Sequence, residues 1–142
     1  MHIPGHLAVA LLQKRFLVPQ SRQQRAAPYL ITAALFPDVV DKSLGYLVRL
    51  MPNGRHYAHN LFGLVLISAL VTLIWGRLAG YAWLVGHLGH LLADASSTVP
   101  WFFPLKRYPI EEGGFELAPA QALRESLFLG LLLILLRPGR HT

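Results

Sequence analysis

The sequence predicts an all-α fold: a single domain built as a helical bundle of about five or six helices, with a central helical hairpin that is a candidate for membrane insertion. Apolar residues recur at helical spacing through nearly the whole chain, and no stretch alternates strictly as a half-buried strand does. The 142 residues suit one domain and suffice to enclose one core. Hydrophobic residues make up 54% of the chain and charged ones 14%, against roughly 25% charged in soluble proteins, so much of this chain must hide from water or sit in lipid.

The first helix is expected from about Pro4 to Phe16, with proline in its opening turn, and the second from about Gln23 to Leu35. Pro19 and Pro37 punctuate them. A third begins in "FPDVVDKSLGYLVRL", capped by Asp38, and stops near the turn signal "MPNG". Two central helices, about Arg55 to Trp75 and Leu78 to Ala95, meet at Gly76-Arg77 as a hairpin. "STVPWFFPLKRYPIEEGGF" reads as an ordered loop, and a last helix follows from about Pro119 to Leu136. The charge-free run Leu61 to Trp75 has 15 residues and the window between Arg55 and Arg77 has 21, against a need of about 20 for a crossing. Ser126 to Leu136 has only 11, which suits the interface or a protein core as well as a span.

Thirteen Lys and Arg outnumber seven Asp and Glu. The basic residues fall in short clusters, Lys14-Arg15, Arg22/Arg25, Lys106-Arg107 and Arg137/Arg140, which suit anionic lipid headgroups. They form no single stripe with interleaved aromatics, so nucleic acid is the less favoured partner. The chain lacks cysteine, so any metal must be held by histidine and carboxylate. His2, Pro4, His6 and Lys14-Arg15 break the basic-then-apolar order of a signal peptide, and the N-terminus is expected to be retained.

The chemistry concentrates in "GHLGHLLAD". On a helix His87, His90 and Asp94 fall within about 60° of one another and share a face. A lone histidine on such a helix is most simply a satisfied core group. Three polar groups together need partners, because stranding each costs several kcal/mol, and a divalent cation is one partner. If the chain reverses near Gly76-Arg77, His59 stands about level with Asp94, and His90 is roughly 7 Å along the axis. "RHYAHN" and "HLGHLLAD" should therefore face each other. His56 and His59 share a face, although His56 could be a solvated residue at a helix start. Asp38 and Asp41 also share one; a helix cap plus a dipole-favoured acid would explain them, and so would oxygen ligands in a histidine-rich site. His6 is a candidate outer ligand, whereas His2 and His141 read as terminal. Ser96, Ser97 and Thr98 read as a polar helix end. Arg55, Lys106 and Arg107 are solvated or lipid-facing residues that could also bind a phosphate.

"HIPGH", "FPDVVD", "RHYAHN", "GHLGHLLADASST" and "WFFPL", in that order, resemble the membrane-bound metal-dependent hydrolases, a bacterial family known partly as an SOS-regulated inner-membrane protein. The resemblance runs from His6 to about Leu105. It departs at "RHYAHN", where the family has a His-Arg-Gly stretch followed by Thr-His-Ser and this chain has Ala58 for the threonine. The pattern is also distantly similar to the all-helical zinc-dependent phospholipases C and related single-strand nucleases. The resemblance implies that Asp38, His59, His90 and Asp94 surround one metal, with Asp94 bridging toward a second that His6 approaches. Asp41, His56 and His87 are further candidate ligands. One or two divalent ions, zinc by this likeness, are the cofactor expected, and an integral or tightly associated place in the cell inner membrane follows. The expected activity is metal-assisted hydrolysis of a phosphoester, small-molecule or lipid-type substrate, with Asp38 or Asp94 receiving a proton from water. Two other classes remain open: a membrane protein with a structural or transported cation, and a basic adaptor whose histidines serve folding.

Overall fold

A computed structural model describes residues 1–95, 99–108 and 118–136. Helix α1, Ile3–Leu17, opens with a proline in its first turn and carries Lys14 and Arg15 in its last, where they complement the helix dipole. Pro19 follows it and leads into a short 3-10 turn, Gln20–Arg22. Helix α2 spans Gln23–Lys42 and passes through both Pro28 and Pro37. A π-helical turn, Ser43–Leu47, completes it. The helical hairpin consists of α3, Leu61–Trp75, and α4, Arg77–Ala93. Helix α5, Pro119–Leu135, ends the described chain. No strand occurs among the described residues.

Two boundaries differ from the sequence expectation. Pro37 does not end a helix, and Asp38 is therefore an interior residue of α2 and caps nothing. A proline at this place removes one helical hydrogen bond. The loss is offset because Pro37 is fully buried in the packed side of the helix, together with Leu30, Ala33 and Ala34. The first hairpin helix also begins six residues later than Arg55. Asn60 caps it, its side-chain oxygen accepting from the Gly63 N–H at 2.7 Å. The 15 residues of α3 rise roughly 22 Å at about 1.5 Å each, short of a hydrocarbon core of about 30 Å. Among the described residues no helix is long and apolar enough to cross a membrane.

Helix α4 is the hub, packing against α1, α2 and α3, while α5 lies on α1. Its buried side is made largely of small residues, Ala79, Gly80, Ala82, Gly86 and Gly89. A side chain at Gly86 would bring its Cβ within 2.4 Å of the Leu30 carbonyl oxygen and 3.1 Å of the Ala33 Cβ, so α2 and α4 touch backbone to backbone there. Gly86→Ala is expected to force these helices apart at a cost of about 1–3 kcal/mol, read as a lower thermal midpoint. An unchanged midpoint would mean that the close approach is not needed. At the far end Gly76 holds φ at 87°, a left-handed turn that reverses the chain between α3 and α4.

Large apolar side chains remain outside. Leu73 on α3 is 82% exposed and Leu135 on α5 is 67% exposed, and each stands among apolar neighbours on a face that no described element covers. Such faces mark contact with lipid or with another apolar surface.

Candidate metal centre

At the end of the bundle away from Gly76, four elements bring acids and imidazoles together. His6 comes from the first turns of α1, Asp38 from the last turn and a half of α2, His90 from the end of α4, and Asp94 from its C-cap. One ligand-capable atom of each lies within 4.8 Å of the others, and all four residues are buried. His59, from the segment before α3, reaches the same place: its Nε2 is 3.1 Å from His90 Nε2 and 3.5 Å from Asp38 Oδ1.

The tautomers follow from the outer contacts. Nδ1–H of His90 donates to the Ala34 carbonyl at 2.7 Å, one residue along from the carbonyl that Pro37 leaves without its helical donor. Nδ1–H of His59 donates to Asp41 Oδ2 at 2.9 Å. Both rings thus direct Nε2 inward, the arrangement in which outer acceptors orient metal-ligating histidines. Two facing Nε2 lone pairs repel, so the 3.1 Å approach requires a positive charge between them, either a second proton on His59 or a bound cation. His6 adds an imidazole with neither ring nitrogen hydrogen-bonded. Its Nε2 stands 3.6 Å from Asp94 Oδ1 and 3.8 Å from Asp38 Oδ2. These gaps are too long for hydrogen bonds. They approach the roughly 3.3–3.5 Å that separates neighbouring donors at about 2.0–2.2 Å from a tetrahedral zinc.

Charge in the site is arranged to keep the acids ionised and most imidazoles neutral. Burial by itself would raise the Asp38 carboxyl, but the His59 and Lys42 contacts win and hold it well below the usual carboxylate range. Burial, aided by the neighbouring His6 and His59, pushes His90 down to about 3. Burial also lowers His6. His59 goes the other way: burial opposes its charged form, yet the Asp38 and Asp41 carboxylates on either side raise it. Of the imidazoles in the cluster, His59 is thus the one whose surroundings favour a second proton.

Asp41, Asp38's neighbour on the same face of α2, has a separate task. It is fully buried, and its two oxygens accept from the backbone N–H groups of His56, Tyr57, Ala58 and His59 at 2.7–3.1 Å, besides the His59 ring. A single carboxylate therefore gathers the segment before α3 and sets the orientation of His59. Asn60 closes the same segment, its amide donating to the His56 and Tyr57 carbonyls.

The sequence candidates separate accordingly. His6, Asp38, His59, His90 and Asp94 converge; Asp41 stands behind His59. His87 shares the helix face but its Nε2–H donates to the Ala58 carbonyl at 2.8 Å, and burial lowers it to about 4. His56 lies with its ring edge-on to Phe103, 5.8 Å between centroids. Arg55 places its guanidinium 3.2 Å from Asp94 Oδ2. Ser96, Ser97, Thr98 and His141 lie outside the described residues. Three contributors escape the sequence reading, the first being the Met1 ammonium, which pairs with Asp94 Oδ1. Lys42 reaches Asp38 Oδ2 at 2.6 Å, an i,i+4 pair on α2 that spacing alone could have revealed. Glu125 of α5 accepts from the N–H groups of His2 and Gly5 at 2.9 and 3.1 Å, holding the start of the helix that carries His6; no local signal announces that contact.

Fold and site together define an all-helical protein with a buried histidine–aspartate cluster at one end of its bundle. The chain belongs to the YdjM inner membrane protein family, whose model matches residues 1–139. Comparison with curated proteins and with solved structures finds no match.

Proposed function

We propose that the protein is a metal-dependent hydrolase of the inner membrane, cleaving a phosphoester or lipid-type substrate with water activated at the histidine–aspartate cluster. The observation that carries this reading is the convergence of His6, Asp38, His90 and Asp94, with the outer nitrogen of His90 already committed to a carbonyl. His6, Asp38, His90 and Asp94 would hold the ion, and His59 stands ready as a fifth donor or as the anchor of a second ion. A divalent cation held there, zinc by the chemistry of the donor set, would bring the pKa of a water toward neutrality and polarise a phosphoryl oxygen.

The chain's own residues supply the rest. Asp38, kept ionised beside His59 and Lys42, is the acceptor placed to take a proton from water at the cluster. Its basicity is low while Lys42 holds it, and it rises if the ammonium turns to an anionic substrate. Lys42 and Arg55 are each about 30% exposed, so both can serve buried carboxylates and incoming phosphate oxygens alike. Membership of an inner-membrane family and the bare apolar faces of α3 and α5 support a membrane setting.

The test is metal analysis of the purified parent and of His90→Ala and Asp94→Ala, joined to a phosphodiesterase and phospholipase panel. The parent is expected to carry stoichiometric metal and to turn over at least one substrate, and both variants to lose metal and turnover. A parent without stoichiometric metal after gentle purification would end the reading. One observation favours a second reading: the cluster is buried and offers four protein donors, as in a closed structural site, or a site for a transported cation. Metal that is retained stoichiometrically with no turnover on any substrate of the panel would select it.

A further inference from the structure

We infer that the two loops at the mouth of the cluster, residues 47–57 and 101–107, form a docking rim for an anionic phospholipid leaflet, so that the site draws its phosphoester from the headgroups of that leaflet.

Three observations converge. First, the rim is apolar where it is most exposed: Leu47, Leu50 and Leu105 are 80%, 70% and 79% exposed, with Phe102 at 54%. Loops connecting helices do not ordinarily present four such residues to water. Secondly, cations alternate with them. Arg49 stands between Val48 and Leu50, and Lys106 and Arg107 follow Leu105, while residues 42–57 and 99–108 contain no Asp or Glu. Apolar tips flanked by basic groups match a leaflet with acyl chains below and phosphates above. An uncharged protein partner would gain nothing from the cations. Arg49 also holds φ at 58°, a left-handed backbone that side-chain-bearing residues rarely adopt, so the loop keeps its exposed apex against a local cost.

Thirdly, the rim and the cluster form one unit. The two loops meet where Tyr57 and His56 pack edge-on against Phe103 at 5.7 and 5.8 Å. The Leu61 N–H, at the start of α3, donates to the Trp101 carbonyl at 3.0 Å. The first loop carries Arg55, whose guanidinium bonds Asp94, and it is held at its root by Asp41. A headgroup phosphate brought to Arg49 or Lys106 is thereby delivered to the side of the bundle where Lys42 and Arg55 guard the buried acids. The substrate class that follows, an anionic glycerophospholipid headgroup, rests on the hydrolase reading; the docking rim does not.

The full chain is added to vesicles of phosphatidylcholine alone and of phosphatidylcholine with 30% phosphatidylglycerol (roughly the anionic share that gives a strong surface potential), and binding is read by flotation. Each basic residue near an anionic surface is worth roughly fivefold, so three predict binding about a hundredfold tighter to the anionic vesicles, weakened by salt. Brominated lipids locate the contact: quenching should fall sharply in Trp101→Phe, which removes the reporter in the rim, and less in Trp75→Phe, on the bare face of α3 at the opposite end. A Leu50→Asp/Leu105→Asp double variant should lose at least tenfold in binding, and Arg49→Glu/Lys106→Glu should lose the preference for anionic lipid. Neither pair touches the cluster, so metal content should stay at the parent level. Equal binding to both vesicles, quenching that survives Trp101→Phe and vanishes in Trp75→Phe, or rim variants that abolish a dimer seen by light scattering while vesicle binding is unchanged would each overturn the rim. Lipid binding and quenching involve no turnover. A rim that binds beside an inactive panel would therefore sink the hydrolase reading alone, and hydrolysis of a soluble phosphodiester without anionic binding would sink the rim alone.

Discussion

Zinc at a thousandfold its dissociation constant is expected to stabilise the protein by about 4 kcal/mol, a rise in thermal midpoint on the order of 10 °C for a chain of this size, and a chelator should reverse it. The reason lies in the buried charge pattern. Without an ion, Asp38 is balanced from outside by Lys42 and Asp94 by Arg55 and the Met1 ammonium, and His6 is buried with two unpartnered ring nitrogens. An unpartnered buried polar group costs about 1–3 kcal/mol, and an ion that partners several at once returns that cost as binding energy. His90→Leu fills most of the same volume but removes the imidazole that faces His59 Nε2 at 3.1 Å and stands 3.8 and 4.0 Å from the Asp38 and Asp94 carboxylates. Its midpoint should be indifferent to zinc and chelator alike. The measurement is a set of thermal melts of parent and variant with and without metal. A parent whose midpoint ignores both additions would remove the metal centre, whatever activity is found.

Which parts of this arrangement could be read without coordinates depends on the range of the interactions that decide them. Pro4 at the start of α1, Gly76 between α3 and α4, and Pro119 at the start of α5 act on their own backbone, and the sequence places those boundaries within a residue or two. Pro37 gives the opposite signal from its outcome, because helix packing around Leu30, Ala33 and Ala34 outweighs one missing hydrogen bond. Residues 55–60 carry no strong helix breaker, and spacing alone reads them as helix. The competing interaction is the Asp41 carboxylate, a dozen or more residues earlier, which offers four N–H groups an alternative to helical partners. Asn60, directly ahead of the apolar run, was the available clue to the true start of α3. The apparent length of a membrane-crossing segment depended on the same six residues.

The site was legible at the level of convergence. Helical spacing placed His90 and Asp94 on one side of α4, and the hairpin brought His59 to their end of the bundle. Division of labour within the group was not legible. His87 and His90 differ in register by three residues, yet one meets the Ala58 carbonyl and the other meets Ala34 and the cluster, a choice made by neighbouring backbones. Asp38 and Asp41 present the same ambiguity on α2. Spacing shows that two carboxylates share a face; only the path of residues 56–59 decides that one looks into the cluster and the other into a ring of amides.

Asp41 is consequently the position where one substitution should do the most damage to the fold. Asp41→Ala leaves four backbone N–H groups and the Nδ1–H of His59 without their acceptor, all but the Tyr57 N–H in buried surroundings. Hydrogen bonds to a charged group contribute about 1.5–3 kcal/mol each. They do not add fully, and partial relaxation of the loop recovers some, so the expected loss is about 4–5 kcal/mol, a magnitude rare for a single substitution. That is a large share of the roughly 5–15 kcal/mol by which domains are stable. Asp41→Asn should recover about half, because one oxygen still accepts while the new amide turns N–H groups toward N–H groups. Asp41→Glu should not rescue, since in a fully buried position another methylene moves the oxygens off the N–H groups they now meet. Val39→Thr, on the exposed side of the same helix turn, is the control and should change little. Denaturant midpoints order the series, and metal affinity of whichever variants fold gives the second readout: His59 should lose its fixed tautomer before the bundle loses its helices. Loss of less than about 1 kcal/mol in Asp41→Ala would mean that residues 55–60 hold their path without the carboxylate, and that the inward aim of His59 has another cause.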